Sequence, residues 1–166
     1  CCMPNTKPAI DSPMMIEYVK LKAEKEGVVN VLPIGAVTLG QKGEELADIE
    51  KMALKGACAI SEDGKSVENA FLLKKGMLLA KKAGIPVLSH CEDKSLVNGG
   101  CMNDGKIANS LGLKGISNDS EDVIVSRDIL IAESTCARLH ICHMSTKGSV
   151  MLLKAARERG VNVTGD

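Results

Sequence analysis

The stretch IPVLSH at 85–90 decides the architecture. It is a short, nearly continuous apolar run between a helix-like segment closing at Gly84 and a polar turn opening at Cys91. A half-exposed strand would alternate apolar and polar residues, whereas an unbroken run of this length reads as a strand covered on both faces. Four further stretches repeat it: VVNVLPIGAV (28–37), GACAIS (56–61), RLHICHMS (138–145) and VNVTGD (161–166). Amphipathic segments lie between them. Ser12 and Pro13 open a helix that runs to Gly27, and the spacing predicts others over 44–55, 66–82, 121–136 and 146–159. Strands separated by helices form parallel sheets with helical crossovers. A doubly wound open sheet and a portion of a (β/α)8 barrel both satisfy this α/β pattern. Residues 94–119 are rich in Gly and Asn and have little periodicity, so they read as a flexible loop.

Composition excludes several classes of function. A chain of 166 residues can bury one real core. Its 21 basic and 21 acidic residues cancel, which removes the electrostatic case for a nucleic-acid or anionic-membrane partner. With one Tyr, one Phe and no Trp there is no base-stacking surface. No apolar run approaches the roughly 18 residues of a membrane span, and CCMPNTKP is not a secretory leader. Seven cysteines, an odd number without a CxxC pair, imply free thiols in a reducing cytoplasm. The chain opens on Cys-Cys-Met and stops in a strand-like run, which reads as a segment of a longer protein.

Parallel α/β folds carry their chemistry at the C-terminal ends of strands. Those ends hold Asp63, His90 and His143, and Asn5 follows whatever precedes Cys1. Taken singly, a strand-end His is commonly a hydrogen-bonded core residue, and Asp63 in SEDG fits an ordinary turn. Their conjunction points instead to zinc, which takes imidazole nitrogen and carboxylate oxygen. His140 lies three residues from His143, so an extended strand would point the two to opposite faces, and His140 reads as structural. Glu92 and Asp93 suit either support of the site or capping of a helix. Cys91 faces away from His90, so the two form no dyad. Met14, Met15, Met52, Met77 and Met151 read as core packing. No dinucleotide-binding glycine motif, P-loop or nucleophile elbow is present.

MPNT (3–6), ISEDG (60–64), SHCED (89–93) and HICHMSTK (140–147) occur in this order, with GLKGISNDSEDVIVSRDILIAE before the last. Together they resemble the bacterial class I dihydroorotases of the amidohydrolase superfamily. The resemblance covers essentially the whole chain and about two-fifths of a typical member. It implies a (β/α)8 barrel with about five of its eight strands here, residues 1–166 forming one partial domain. It implies a binuclear zinc site bridged by Asp63, with His90 and His143 completing one metal's ligands and Asn5 contacting the substrate carboxylate. The implied reaction is reversible cyclisation of N-carbamoyl-L-aspartate to L-dihydroorotate in pyrimidine synthesis. A cytoplasmic homodimer and association with aspartate transcarbamoylase are implied for the full-length protein.

The family's HxHxR motif lies upstream of MPNT and its catalytic aspartate beyond Asp166, so this chain alone is expected to lack turnover. Asp166 also stands where the family commonly has Glu. Three other readings compete. Hydantoinases and allantoinases bridge their metals with a carboxylated lysine, but ISEDG offers none before Lys65. Inactive dihydroorotase-like partners of aspartate transcarbamoylase tend to lose metal ligands, and this chain keeps all three that it could show. An unrelated open-sheet binding module would bind no zinc.

Overall fold

The computed structural model describes residues 1–166. Five strands of three residues each form one parallel sheet: β1 (Ile34–Ala36), β2 (Ala59–Ser61), β3 (Val87–Ser89), β6 (Leu139–Ile141) and β7 (Val163–Gly165). Their spatial order is β1-β2-β3-β6-β7, so every new strand is added on the same side. A doubly wound sheet reverses direction at a switch point, and a barrel never does. The order therefore selects the barrel over the open sheet. Cys2 extends the same progression by a parallel bridge to Pro33, with its N–H donating to the Leu32 carbonyl at 3.0 Å.

The register aligns the strands in levels. Gly35, Ile60, Val87, Leu139 and Val163 pair in succession, and Ser61, Leu88, His140 and Thr164 pair one residue later. The first level faces the helices: a Cβ on Gly35 would lie 2.8 Å from the Met52 sulfur, and Ile60, Val87, Leu139 and Val163 all join the main core cluster. Because side chains alternate along a strand, the second level faces the opposite way.

The outer layer comprises α1 (Pro13–Glu26), α2 (Ile49–Leu54), α3 (Ala70–Ala83), α6 (Asp119–Thr135) and α7 (Lys147–Glu158). The longer faces bury residues at helical spacing, Leu73, Met77 and Ala80 on α3 and Val125, Ile129 and Ala132 on α6, whereas α1 buries only Ile16. Side chains close the N-termini of all of these except α6. Ser12 accepts from the Met15 N–H, Asp48 from Lys51, Asn69 from Phe71 and Leu72, and Thr146 from Ser149. These caps explain two shifted boundaries. The helix expected from 44 starts at Ile49 after Asp48, and the one expected from 66 starts at Ala70 after Asn69. The strand expected over 28–37 shrinks to Ile34–Ala36. Val28 and Val29 lie out in solvent, and Pro33 has no N–H to give to a ladder.

Residues 94–119 differ most from the sequence expectation of a loop. They hold α4 (Lys94–Val97), β4 (Met102–Asn103), α5 (Lys106–Leu111) and β5 (Gly115–Ile116), with β4 and β5 paired as a separate parallel ribbon. The elements are too short to show a period, and their stop signals are left-handed residues, Asn98 and Gly112. Only two of the five methionines assigned to the core, Met52 and Met77, are fully buried, and Met15 packs partly against it. Met14 and Met151 are exposed. All seven cysteines are free thiols. No helix is long and apolar enough to cross a membrane.

Ile60 is wholly buried at the centre of this arrangement, whereas Leu54 is 86% exposed. Urea denaturation should show Ile60→Ala costing about 2–5 kcal/mol. Leu54→Ala should stay within about 0.5 kcal/mol of the parent.

Candidate metal centre

The strands end at one rim, and four loops there carry the polar residues singled out by the sequence. Asp63 lies two residues past β2, His90 directly after β3 and His143 two residues past β6. Each offers one donor atom, and the three atoms lie within 4.8 Å of one another. His90 Nδ1 and His143 Nε2 are 3.0 Å apart, with the rings edge to face at 73°. Two nitrogens held tetrahedrally at about 2.0–2.1 Å from a zinc ion lie roughly 3.3 Å apart. One carboxylate oxygen and two imidazole nitrogens at this spacing thus fit a divalent metal of the zinc type.

Asn5 reaches the same cluster from the loop after Cys2, and its Nδ2 donates to Asp63 Oδ2 at 2.6 Å. The backbone around Asp63 is tied down locally. Its N–H donates to Ser61 Oγ at 3.1 Å, and Gly64 takes a left-handed φ of 77° beside the Asn5 amide. Ser66 holds the next loop by donating to the His90 carbonyl at 2.7 Å and accepting from the Glu92 N–H at 2.9 Å.

His143 adopts a left-handed φ of 43°. Strand alternation therefore stops at Ile141 and does not determine where His143 points, contrary to the argument that set it opposite His140. Its N–H donates to Asp166 Oδ1 at 2.5 Å. His140 stays outside the donor cluster, with its Nδ1 2.8 Å from Thr164 Oγ1. Cys91 is buried, its sulfur 3.5 Å from Ser89 Oγ, and burial pushes its thiol up. Burial, with the Asp166 and Asp63 carboxylates, pushes the Cys142 thiol up to about 11. Neither supplies a thiolate nucleophile near neutral pH. Asp93 is the helix cap of the two readings offered, accepting from the Ser95 and Leu96 N–H groups.

Glu62 was not singled out by the sequence. It is buried, and its carboxylate accepts the Val37 and Thr38 N–H groups at 3.1 Å each and the Thr38 hydroxyl. It thereby anchors the loop carrying Asp63 to the end of β1. Burial raises its pKa despite those bonds. The only trace in the sequence was its position beside Asp63. A cavity of about 210 Å³ opens next to the cluster, lined by His90, His143, Glu92, Asn103, Asn118 and Ser145 among others. Asn103 and Asn118 come from the segment expected to be a loop, so no strand-end rule could find them.

A parallel sheet wound in one direction, with convergent donors at its C-terminal rim, defines a portion of a (β/α)8 barrel that carries a candidate metal site. The model of the Dihydro-orotase-like family matches residues 1–149, and the chain belongs to that family. The chain is 51% identical over 166 residues to the dihydroorotase of Caldicellulosiruptor saccharolyticus, covering 100% of this chain and 39% of that protein. It is 49% identical over 165 residues to the dihydroorotase of Caldanaerobacter subterraneus subsp. tengcongensis, covering 99% of this chain and 38% of the other. The chain thus spans about two-fifths of the length of these relatives. In structure it is similar to the L-hydantoinase of Arthrobacter aurescens, with a TM-score of 0.78 at 18% identity over 98% of this chain and 38% of that one. It also resembles the D-hydantoinase of a Thermus species, with a TM-score of 0.65 at 22% identity over 99% of this chain and 36% of that one. At these identities the likeness shows the fold.

Burial, then the neighbouring His143, holds the His90 pKa below its ordinary 6.5. A lowered histidine pKa means that protonation favours the unfolded chain. In metal-free protein this residue's contribution should therefore be complete above about pH 6.5 and fall as pH drops towards the folded value. An NMR titration should place the His90 midpoint below 6.5, and urea melts across the same range should follow it.

Proposed function

We propose that this chain is the metal-binding part of a dihydroorotase, a zinc-dependent cytoplasmic enzyme that interconverts N-carbamoyl-L-aspartate and L-dihydroorotate. The observation that carries the reading is the convergence of Asp63, His90 and His143 at the strand-end rim, with the Asn5 amide on Asp63. Family membership supports the same reaction class.

In this reading Asp63, His90 and His143 would hold zinc, Asp63 through its carboxylate and the histidines through their ring nitrogens. Bound there, zinc supplies a Lewis acid that polarises a carbonyl and acidifies water near neutral pH. The chain's own residues hold and orient. The lowered pKa of His90 keeps its ring neutral, as a ligand must be. Asn5 holds the Asp63 carboxylate, and in this reading the second N–H of the same amide would donate to a substrate carboxylate. Most residues lining the cavity beside the histidines are polar, which gives a small hydrogen-bonding molecule several partners. A homodimer and an association with aspartate transcarbamoylase belong to the same proposal for the whole protein.

One observation weighs against the hydantoinase-type alternative. That chemistry needs a carboxylated lysine at the metal. Lys65, the first lysine after β2, donates instead to the Gln41 carbonyl at 2.9 Å.

Native mass spectrometry should find zinc on the parent chain, none on His90→Ala, and unchanged loading on Lys65→Met. In the full-length enzyme, Asn5→Ala should raise KM for carbamoyl-aspartate by about 10-fold or more, the scale of a lost hydrogen bond to a charged group. Turnover of hydantoins without turnover of dihydroorotate would overturn the assignment.

A further inference from the structure

His90 and His143 sit on different loops, yet their nitrogens meet at 3.0 Å. The strands beneath them pair for only three residues, and Ser89↔Ile141 is the last matched pair. His143 also lies off the strand in a left-handed conformation that residues other than glycine adopt rarely. One more backbone bond, from the Cys142 N–H to the Ser89 carbonyl at 3.0 Å, carries the ladder up to the residue before His143, and the loops beyond it need support from outside the sheet.

Helix α6 touches both of them. Asp128 is 1% exposed, and its Oδ2 accepts the Ser89 hydroxyl at 2.5 Å, one residue before His90. Arg127 fixes the other oxygen, its Nε donating to Asp128 Oδ1 at 2.8 Å. Two turns earlier, Glu121 is also buried. Its carboxylate accepts the Ser145 N–H at 3.0 Å and the Thr146 N–H at 3.1 Å, together with the Ser145 hydroxyl. Those residues directly follow the His143 turn. Residues seven apart lie on one face of a helix, about 10 Å apart along its axis. The neighbouring Asp122 accepts the Ser149 hydroxyl at 2.9 Å and packs so tightly on α7 that a Cβ at Gly148 would fall 2.0 Å from its Oδ2.

We propose that α6 is the spacer of the metal site: Asp128, through Ser89, and Glu121, through the Ser145–Thr146 backbone, are positioning residues that set the His90–His143 separation. The proposal rests on reading the two histidines as metal ligands, but the spacing itself exists without metal. A carboxylate suits the task because it is a rigid acceptor with several lone pairs. Glu121 can take two backbone N–H groups and a hydroxyl at once, which an amide of the same shape cannot. Asp128 is shut away from water, and Glu121 is largely buried at the edge of the cavity, so competition from water is limited at both.

The test uses Glu121→Gln and Asp128→Asn, with Ile129→Val as a control that loosens the core face of the same helix without touching either loop. The chain has only three histidines, so imidazole signals are readily assigned. Two readouts are taken on protein shown to be folded: the ring-to-ring NOE between His90 and His143 without metal, and the dissociation constant and visible spectrum of bound cobalt(II). The parent and Ile129→Val should show the NOE and bind cobalt alike. Glu121→Gln and Asp128→Asn should lose the NOE, weaken cobalt binding by about 10-fold or more and alter its spectrum. If Asp128→Asn does not fold, Ser89→Ala removes the same hydrogen bond.

An unchanged NOE and cobalt affinity in the folded variants would overturn the proposal. Equal losses in Ile129→Val would also overturn it, because general loosening would then suffice. A parent that shows the NOE but binds no cobalt would defeat the metal reading alone. Loss of that NOE in the two variants would still uphold the spacer.

Discussion

Each strand of the sheet is three residues long, so parallel register decides where everything else can be. The levels Gly35–Ile60–Val87–Leu139–Val163 and Ser61–Leu88–His140–Thr164 run across the sheet without a bulge or slip. A shift of one residue in any strand would exchange its core-facing and opposite-facing side chains. It would also move the following loop along the rim. Asp63, His90 and His143 can come within reach of one another because β2, β3 and β6 stop at nearly the same height.

Short strands leave the loops under-determined, and buried carboxylates make up the difference. Glu62 ties the Asp63 loop to the end of β1, Asp128 grips Ser89 before His90, and Glu121 grips the turn after His143. Burying a carboxylate is costly unless hydrogen bonds replace its water. Each of these three has that replacement, with donors drawn from the backbone or from Ser and Thr hydroxyls. The same polar groups therefore stabilise the rim and define its geometry. The small ribbon of β4 and β5 adds Asn103 and the neighbouring Asn118 to the cavity wall, so a region with no visible periodicity helps to shape the pocket.

Much of the fold was legible in the chain. Five apolar runs separated by amphipathic segments required a parallel α/β sheet, because only that arrangement covers such strands on both faces. That Asp63, His90 and His143 meet at one rim was legible for a related reason, since all three follow the C-terminal ends of strands. Boundaries were less legible: Val28 and Val29 read as strand yet lie in solvent, and Asp48 and Asn69 start their helices later than the apolar pattern suggested. The roles of Glu62, Glu121 and Asp128 were hidden, because an acidic residue looks the same in sequence whether it is solvated or clamps a loop.

The sequence by itself determined the alternation of strands and helices and the chemical types at the rim, because hydrophobic period and residue identity are local properties. Tertiary structure alone decided three things: that the strands wind in one direction, that segment 94–119 carries regular elements, and that His90 and His143 face each other at 3.0 Å. All three depend on contacts between residues distant in the chain. Hydrogen bonds spanning dozens of residues, such as those from Ser89 to Asp128 or from Ser145 to Glu121, leave no periodic trace in the order of amino acids.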